Sequence, residues 1–130
     1  MSLLRRGTRM ANTKATRETF AKMSFAAVYP HYVTKVEKKG RSKQELYEVI
    51  SWLTGFDDTQ IDTLLAQNAN FETVFDQAKL NPNAHLIKGA ICGYRVEEIE
   101  DDLTQKVRYM DKLVDELAKG KTMEKILRSA

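Results

Sequence analysis

The stretch SKQELYEVISWLTGFDDTQI, residues 42–61, decides the fold class. Ser42 followed three positions later by Glu45 is a capping-box signature: the serine oxygen takes the N3 amide, and the glutamate returns to the cap amide. Leu46, Val49, Ile50 and Leu53 then recur at i, i+3, i+4 and i+7, the spacing of one helix face. Gly55 ends that helix, because glycine enters the left-handed C-cap without a Cβ clash. Asp57 with Gln60 repeats the capping pattern. Phe56 and Ile61 flank that cap as a hydrophobic staple. The stretch therefore reads as helix, tight turn, helix.

The same grammar extends in both directions. Upstream, Phe25, Val28, Tyr29, Tyr32, Val33 and Val36 form a helical stripe in which Pro30 marks either a kink or a helix start. Lys38 and Lys39 fall in its last turn, before Gly40. Downstream, Ile61, Leu64 and Leu65 face inward, and Asn70 caps a short helix bearing Phe71, Val74, Phe75 and Ala78. Asn81-Pro82 resembles an N-cap followed by proline at N1, which predicts a fifth helix through Leu86, Ile87, Ala90 and Ile91 to Gly93. The acids from Glu97 to Asp102 precede the longest helix, whose face carries Leu103, Val107, Met110, Leu113, Val114 and Leu117. Gly120 stops it, and Thr122 can cap a last short helix with Met123, Ile126 and Leu127.

No stretch shows sustained strand alternation between hairpin turns. The expectation is an all-α fold, a compact bundle of about six crossed helices with short loops. Residues 49–61 and 87–99 echo one another: Gly55 matches Gly93, Phe56 matches Tyr94, and Ile61 matches Ile99. That predicts two helix–turn–helix-like corners.

At 130 residues the chain fits one domain with a real hydrophobic core. The net charge of +3 conceals a division. Residues 1–22 hold Arg5, Arg6, Arg9, Lys14, Arg17 and Lys22 against Glu18, which leaves residues 23–130 mildly acidic. The sequence predicts a basic, solvated arm over 1–22 and one helical domain over 23–130. Met10 offers an alternative start, and the acid-free first 17 residues faintly resemble a transit peptide. Cys92 is the lone cysteine, so no internal disulfide forms, and a reducing cytoplasm is expected. No apolar run approaches the roughly 20 residues of a membrane span.

The two corners have helix-turn-helix spacing, but Asp57, Asp58 and Asp62 in one and Glu97, Glu98, Glu100, Asp101 and Asp102 in the other would repel phosphates. The better phosphate contacts are Lys35, Lys38, Lys39, Arg41 and Lys43. Lysines at a helix C-terminus also complement the helix dipole. His85 and Cys92 are the only nucleophile–base candidates. On a continuous helix they lie about 10 Å apart, too far for a dyad, and Cys92 is expected to be a small buried residue. His31 is expected to be an ordinary helix-surface residue. The two histidines make no local metal pair, and the acids of 97–102 lack a calcium loop's alternation and turn glycine. No metal or cofactor is expected. Gly89 and Gly93 precede no Gly-Lys-Ser/Thr, so they form no phosphate loop.

Trp52 lies about 120° from the centre of its helix's apolar stripe and is either a partner anchor or a residue covered by a neighbouring helix. With Lys88 and Arg95 it makes the candidate contact set near the corners. The favoured function is a non-enzymatic cytoplasmic binding or regulatory domain with a protein or small-ligand partner. The alternative is nucleic-acid binding through the arm and residues 35–43. Third is an enzyme acting on a small anionic substrate with Lys88, Arg95 and the acids of 97–102.

Five segments carry a family resemblance: residues 24–30 (SFAAVYP), 52–56 (WLTGF), 86–93 (LIKGAICG), 95–101 (RVEEIED) and 111–120 (DKLVDELAKG). Through them, from Phe20 to Arg128, the chain resembles a bacterial family of uncharacterised proteins, the domain of unknown function 2200. The family pattern carries proline where this chain has Asp102 and Thr122, both beside helix starts. The resemblance implies a small all-helical fold and supplies no activity or catalytic residues.

Overall fold

Ser42 and Asp57 act as their spacing predicts. In the computed structural model, which describes residues 14–129, Ser42 Oγ accepts from the Glu45 amide at 3.1 Å, and Glu45 Oε1 accepts from the Ser42 amide at 3.0 Å. Asp57 and Gln60 exchange the same pair of bonds at 2.8 and 2.9 Å. These caps open helices α3 (Lys43–Thr54) and α4 (Asp58–Ala66). Gly55 joins them at φ +77°, and Phe56 and Ile61 are both buried beside it.

Before them run α1 (Lys14–Lys22) and α2 (Phe25–Glu37). After them come α5 (Phe71–Gln77), α6 (Asp102–Ala118) and the short α7 (Met123–Ile126). Ser24 caps α2 through its side chain, Asn70 caps α5, and Asp101 caps α6. The entries to α2 and α5 are tied together, with the Phe25 amide donating to Ala69 O at 2.9 Å and the Phe71 amide to Met23 O at 3.0 Å. Of the two options for Pro30, the fold takes the helix that runs through it, with the proline on the exposed side.

Helix α6 is the hub, touching α1, α2, α3, α5, α7 and the segment before it. Its burial runs from Leu103, Thr104 and Val107 through Tyr109 and Met110 to Leu113, Val114, Glu116, Leu117 and Ala118. Burial on so much of its circumference is what a helix surrounded by neighbours requires. Around it lie Phe25, Val36, Leu46, Ile50, Leu53, Ile61, Phe71, Ile87 and Ile126, all under 2% exposed. Phe25, Phe71 and Phe75 form an aromatic row, with edge contact at 5.7 Å and stacking at 6.2 Å. The all-helical bundle is thus the observed fold, with one local exception.

That exception is the predicted fifth helix. Residues 84–86 form one 3₁₀ turn, and Ala90–Ile91 (β1) pairs antiparallel with Tyr94–Arg95 (β2). A second 3₁₀ turn, Val96–Glu98, leads on to α6. The second predicted corner is therefore a hairpin. Two causes are visible. Asn81 makes an Asx turn, its Oδ1 accepting from the Asn83 amide at 2.8 Å, while its Nδ2 donates to Trp52 O at 3.1 Å. Gly89, Cys92 and Gly93 all have positive φ, at 119°, 51° and 84°, which no α-helix admits. Cys92-Gly93 is a two-residue loop with both φ values positive, the pattern of a type I′ turn.

The last part of the expected basic arm falls within the described residues. Residues 14–22 form α1, with Phe20 and Ala21 in the core. Arg17 donates to Asp101 at 2.8 Å and Asp102 at 2.7 Å, at the start of α6. Helix α1 packs against α5 and α6. Arg5, Arg6, Arg9 and Met10 lie outside the described residues.

Candidate functional site

Helices α2 and α6 run side by side in the same sense, because Tyr32 meets Asp111 and Lys35 meets Asp115. Tyr32 is buried and donates to Asp111 Oδ1 at 2.5 Å, and burial raises its hydroxyl pKa well above the ordinary value. Asp111 Oδ2 receives Arg108 at 2.8 Å. One turn further along, Lys35 Nζ stands 3.1 Å from Asp115 Oδ1, and Lys119 Nζ stands 3.1 Å from Asp115 Oδ2. Burial pushes the Asp115 carboxyl up, but its bonds to Lys119 and Lys35 outweigh that and hold it below the usual carboxylate value.

The ends of these two helices enclose an open cleft of about 430 Å³, lined by His31, Thr34, Lys35, Lys38, Lys39, Asp115, Ala118 and Lys119. Four lysines face a single carboxylate. Lys38 and Lys39 are exposed and carry no ion pair among the described residues. Lys35 and Lys119 keep side chains 45% and 72% exposed while touching Asp115, so both ammonium groups remain open to a ligand. The positions explain the gathering: Lys35 lies in the last turn of α2 with Lys38 and Lys39 in the turn that follows, and Asp115 and Lys119 are i, i+4 neighbours at the end of α6.

The fold divides the basic cluster proposed from sequence. Lys35, Lys38 and Lys39 meet in the cleft. Arg41 does not join them. Its guanidinium bonds Glu45 at 2.9 and 3.2 Å and the carbonyl oxygens of Leu117 and Lys121 at 3.2 and 2.9 Å. That arrangement caps α6 and, with the Ser42 amide, lowers the Glu45 pKa. Lys43 lies in a different cleft, with Tyr29, Gln44, Tyr47, Asp58 and Asp62. There Tyr47 donates to Asp62, and burial together with that contact raises the tyrosine pKa.

Trp52 is half-buried against the core, and its carbonyl oxygen holds Asn81. Lys88 is exposed just before β1. Arg95 is exposed on β2 and pairs with Glu97 at 2.7 Å and Glu98 at 4.0 Å. Two further clefts lie between α4 and α5 and beside Arg17. Trp52, Lys88 and Arg95 line none of these four clefts.

The acids of 97–102 are engaged in the fold. Glu97 accepts from the Gly89 amide at 2.9 Å and from Arg95, and the Gly89 bond leads the causes that lower its pKa to about 2. Asp101 caps α6.

Cys92 is exposed at the hairpin turn, which corrects the expectation of a buried residue. Its nearest polar partner is Arg108 Nη1, at 3.5 Å from Sγ. His85 Nδ1 donates to Pro82 O at 2.8 Å. No continuous helix joins His85 to Cys92: a 3₁₀ turn and the hairpin lie between them. Among the described residues no three His, Cys, Asp or Glu side chains converge on a metal position, and no helix is long and apolar enough to cross a membrane.

Sequence reasoning missed Asp115, Lys119, His31 and Thr34 as site residues. The lysines of α2 were legible; their meeting with α6, more than seventy residues later in the chain, was not.

Comparison with curated proteins gives no match. Among solved structures, the chain is similar to one described as the crystal structure of uncharacterized protein SP1917. The two are 42% identical, with a TM-score of 0.79, over 85% of this chain and 91% of that one. Residues 19–128 match the family described as an uncharacterized protein conserved in bacteria, DUF2200. The chain therefore belongs to the DUF2200 family.

Proposed function

We propose that this protein is a non-enzymatic binding domain whose ligand is an anion held in the cleft between α2 and α6. The observation that carries this reading is the four lysines around a single aspartate in about 430 Å³. That volume falls within the roughly 300–1,000 Å³ of small-molecule sites. Unlike exposed surface lysines in general, two of these are oriented by a shared carboxylate.

The division of the basic cluster favours a compact ligand over a nucleic-acid strand. Arg41 is engaged at the end of α6, and Lys43 faces a cleft with Asp58 and Asp62. A protein-contact role for Trp52, Lys88 and Arg95 is a second proposal, supported by the exposure of the two basic side chains alone. A cytoplasmic setting is part of the reading, supported by the single unpaired cysteine.

Amide chemical shifts followed during titration with inorganic phosphate at low ionic strength test the cleft. Residues 31–39 and 115–119 should move together, and the movement should vanish in the double variant Lys38→Gln/Lys39→Gln. Shifts scattered over the whole surface, or none at all, would overturn the proposal.

A further inference from the structure

Resting on that cleft, we infer that its ligand is a small molecule carrying a diphosphate or two clustered phosphates, and not a carboxylate. The donor set gives the class. The cleft is lined by four lysines, a histidine and a threonine hydroxyl, with no arginine. The guanidinium fork suits carboxylate and phosphate alike, whereas lysine, a compact point charge with three donors, is a recurrent phosphate binder. The arginine nearest in sequence to these lysines is present but committed: Arg41 directs its guanidinium to Glu45, Leu117 O and Lys121 O.

Charge count sets the size of the ligand's charge. With Asp115 as the only lining carboxylate, the four ammonium groups leave an excess of three positive charges, before any contribution from His31. A monocarboxylate would neutralise one of these. One phosphate monoester carries about −1.5 to −2 at neutral pH, so two linked phosphates come close to balance. Asp115 sets the geometry by drawing Lys35 and Lys119 together from opposite sides, one on each carboxylate oxygen. Lys38 and Lys39, without such a partner, are free to close on the anion. Thr34 adds a hydroxyl donor on the same helix.

Isothermal titration of the full chain at low ionic strength, with inorganic pyrophosphate against citrate, tests the class, because both carry about three charges near pH 7. Pyrophosphate should bind at least about tenfold more tightly. Lys38→Gln should weaken pyrophosphate by about tenfold, while Lys43→Gln, outside the cleft, should leave it unchanged. Equal or tighter citrate binding would overturn the phosphate assignment and leave the anion cleft standing. If neither anion binds, or if Lys43→Gln weakens pyrophosphate as much as Lys38→Gln does, the cleft reading falls with it.

Discussion

Glu116 and Arg128 form a two-pronged ion pair, with Nη1 to Oε1 at 2.6 Å and Nη2 to Oε2 at 2.8 Å. Both side chains are largely shielded, at 5% and 15% exposure. The pair clamps the chain beyond α7 onto the hub helix, and Asn83 adds a bond to Arg128 O at 3.3 Å.

Removing Arg128 leaves Glu116 with Lys121 Nζ, at 3.3 Å, as its ion-pair partner. Arg128→Met should therefore destabilise the fold by about 2 kcal/mol, less than the loss expected when a buried charge keeps no partner. The double variant Glu116→Leu/Arg128→Met should recover part of that loss, because the buried carboxylate is gone. Urea denaturation of the three proteins measures both. Equal stability of the single and double variants would show that the pair is solvated.

Helix α1 offers a second test. Phe20 is buried, and Arg108 stacks over its ring at 5.0 Å. If residues 14–22 belong to the domain, Phe20→Ala should cost about 3–5 kcal/mol. A free arm would give no change. The midpoint of urea denaturation distinguishes the two.

The hairpin turn places a residue with a Cβ, Cys92, at φ 51°. Asn tolerates that region better than cysteine and leads type I′ turns when glycine follows. Cys92→Asn should therefore raise stability by about 0.5 kcal/mol. Gly93→Ala should lower it by about 1 kcal/mol. No atom lies within 4 Å of an added Cβ at Gly93, so any loss there is conformational, not steric. Thermal melting of both variants reads out the opposite signs.

Glu97 makes stability depend on pH. Its folded pKa, about 2, lies below its ordinary value of 4.5. A depressed carboxylate contributes stability that is complete above the unfolded value and is lost as pH falls through the folded one. The wild type should therefore exceed Glu97→Gln in stability at neutral pH, with the gap closing between pH 4.5 and about 2. Denaturation midpoints at several pH values test this. A gap that does not change with pH would show that the carboxylate charge is not what the Gly89 amide and Arg95 stabilise.

What the sequence determined by itself was everything written within one helical turn or one helical face. Ser42–Glu45 and Asp57–Gln60 each close over three residues, and the stripe Leu46, Val49, Ile50, Leu53 is fixed by helical pitch. The lysines of α2 were legible for the same reason. The region of residues 81–95 misled because Leu86, Ile87, Ala90 and Ile91 fit helical spacing, while the decisive bond from Asn81 to Trp52 O spans 29 positions. A local pattern cannot register a partner so distant. Tertiary structure alone decided that Lys35 meets Asp115, that Arg41 turns to the end of α6, and that Cys92 stands in solvent. These are choices between helices, made when α6 buries most of its circumference. Helices α2 to α7 were readable residue by residue and α1 was not, while the cleft exists only where α2 and α6 end together.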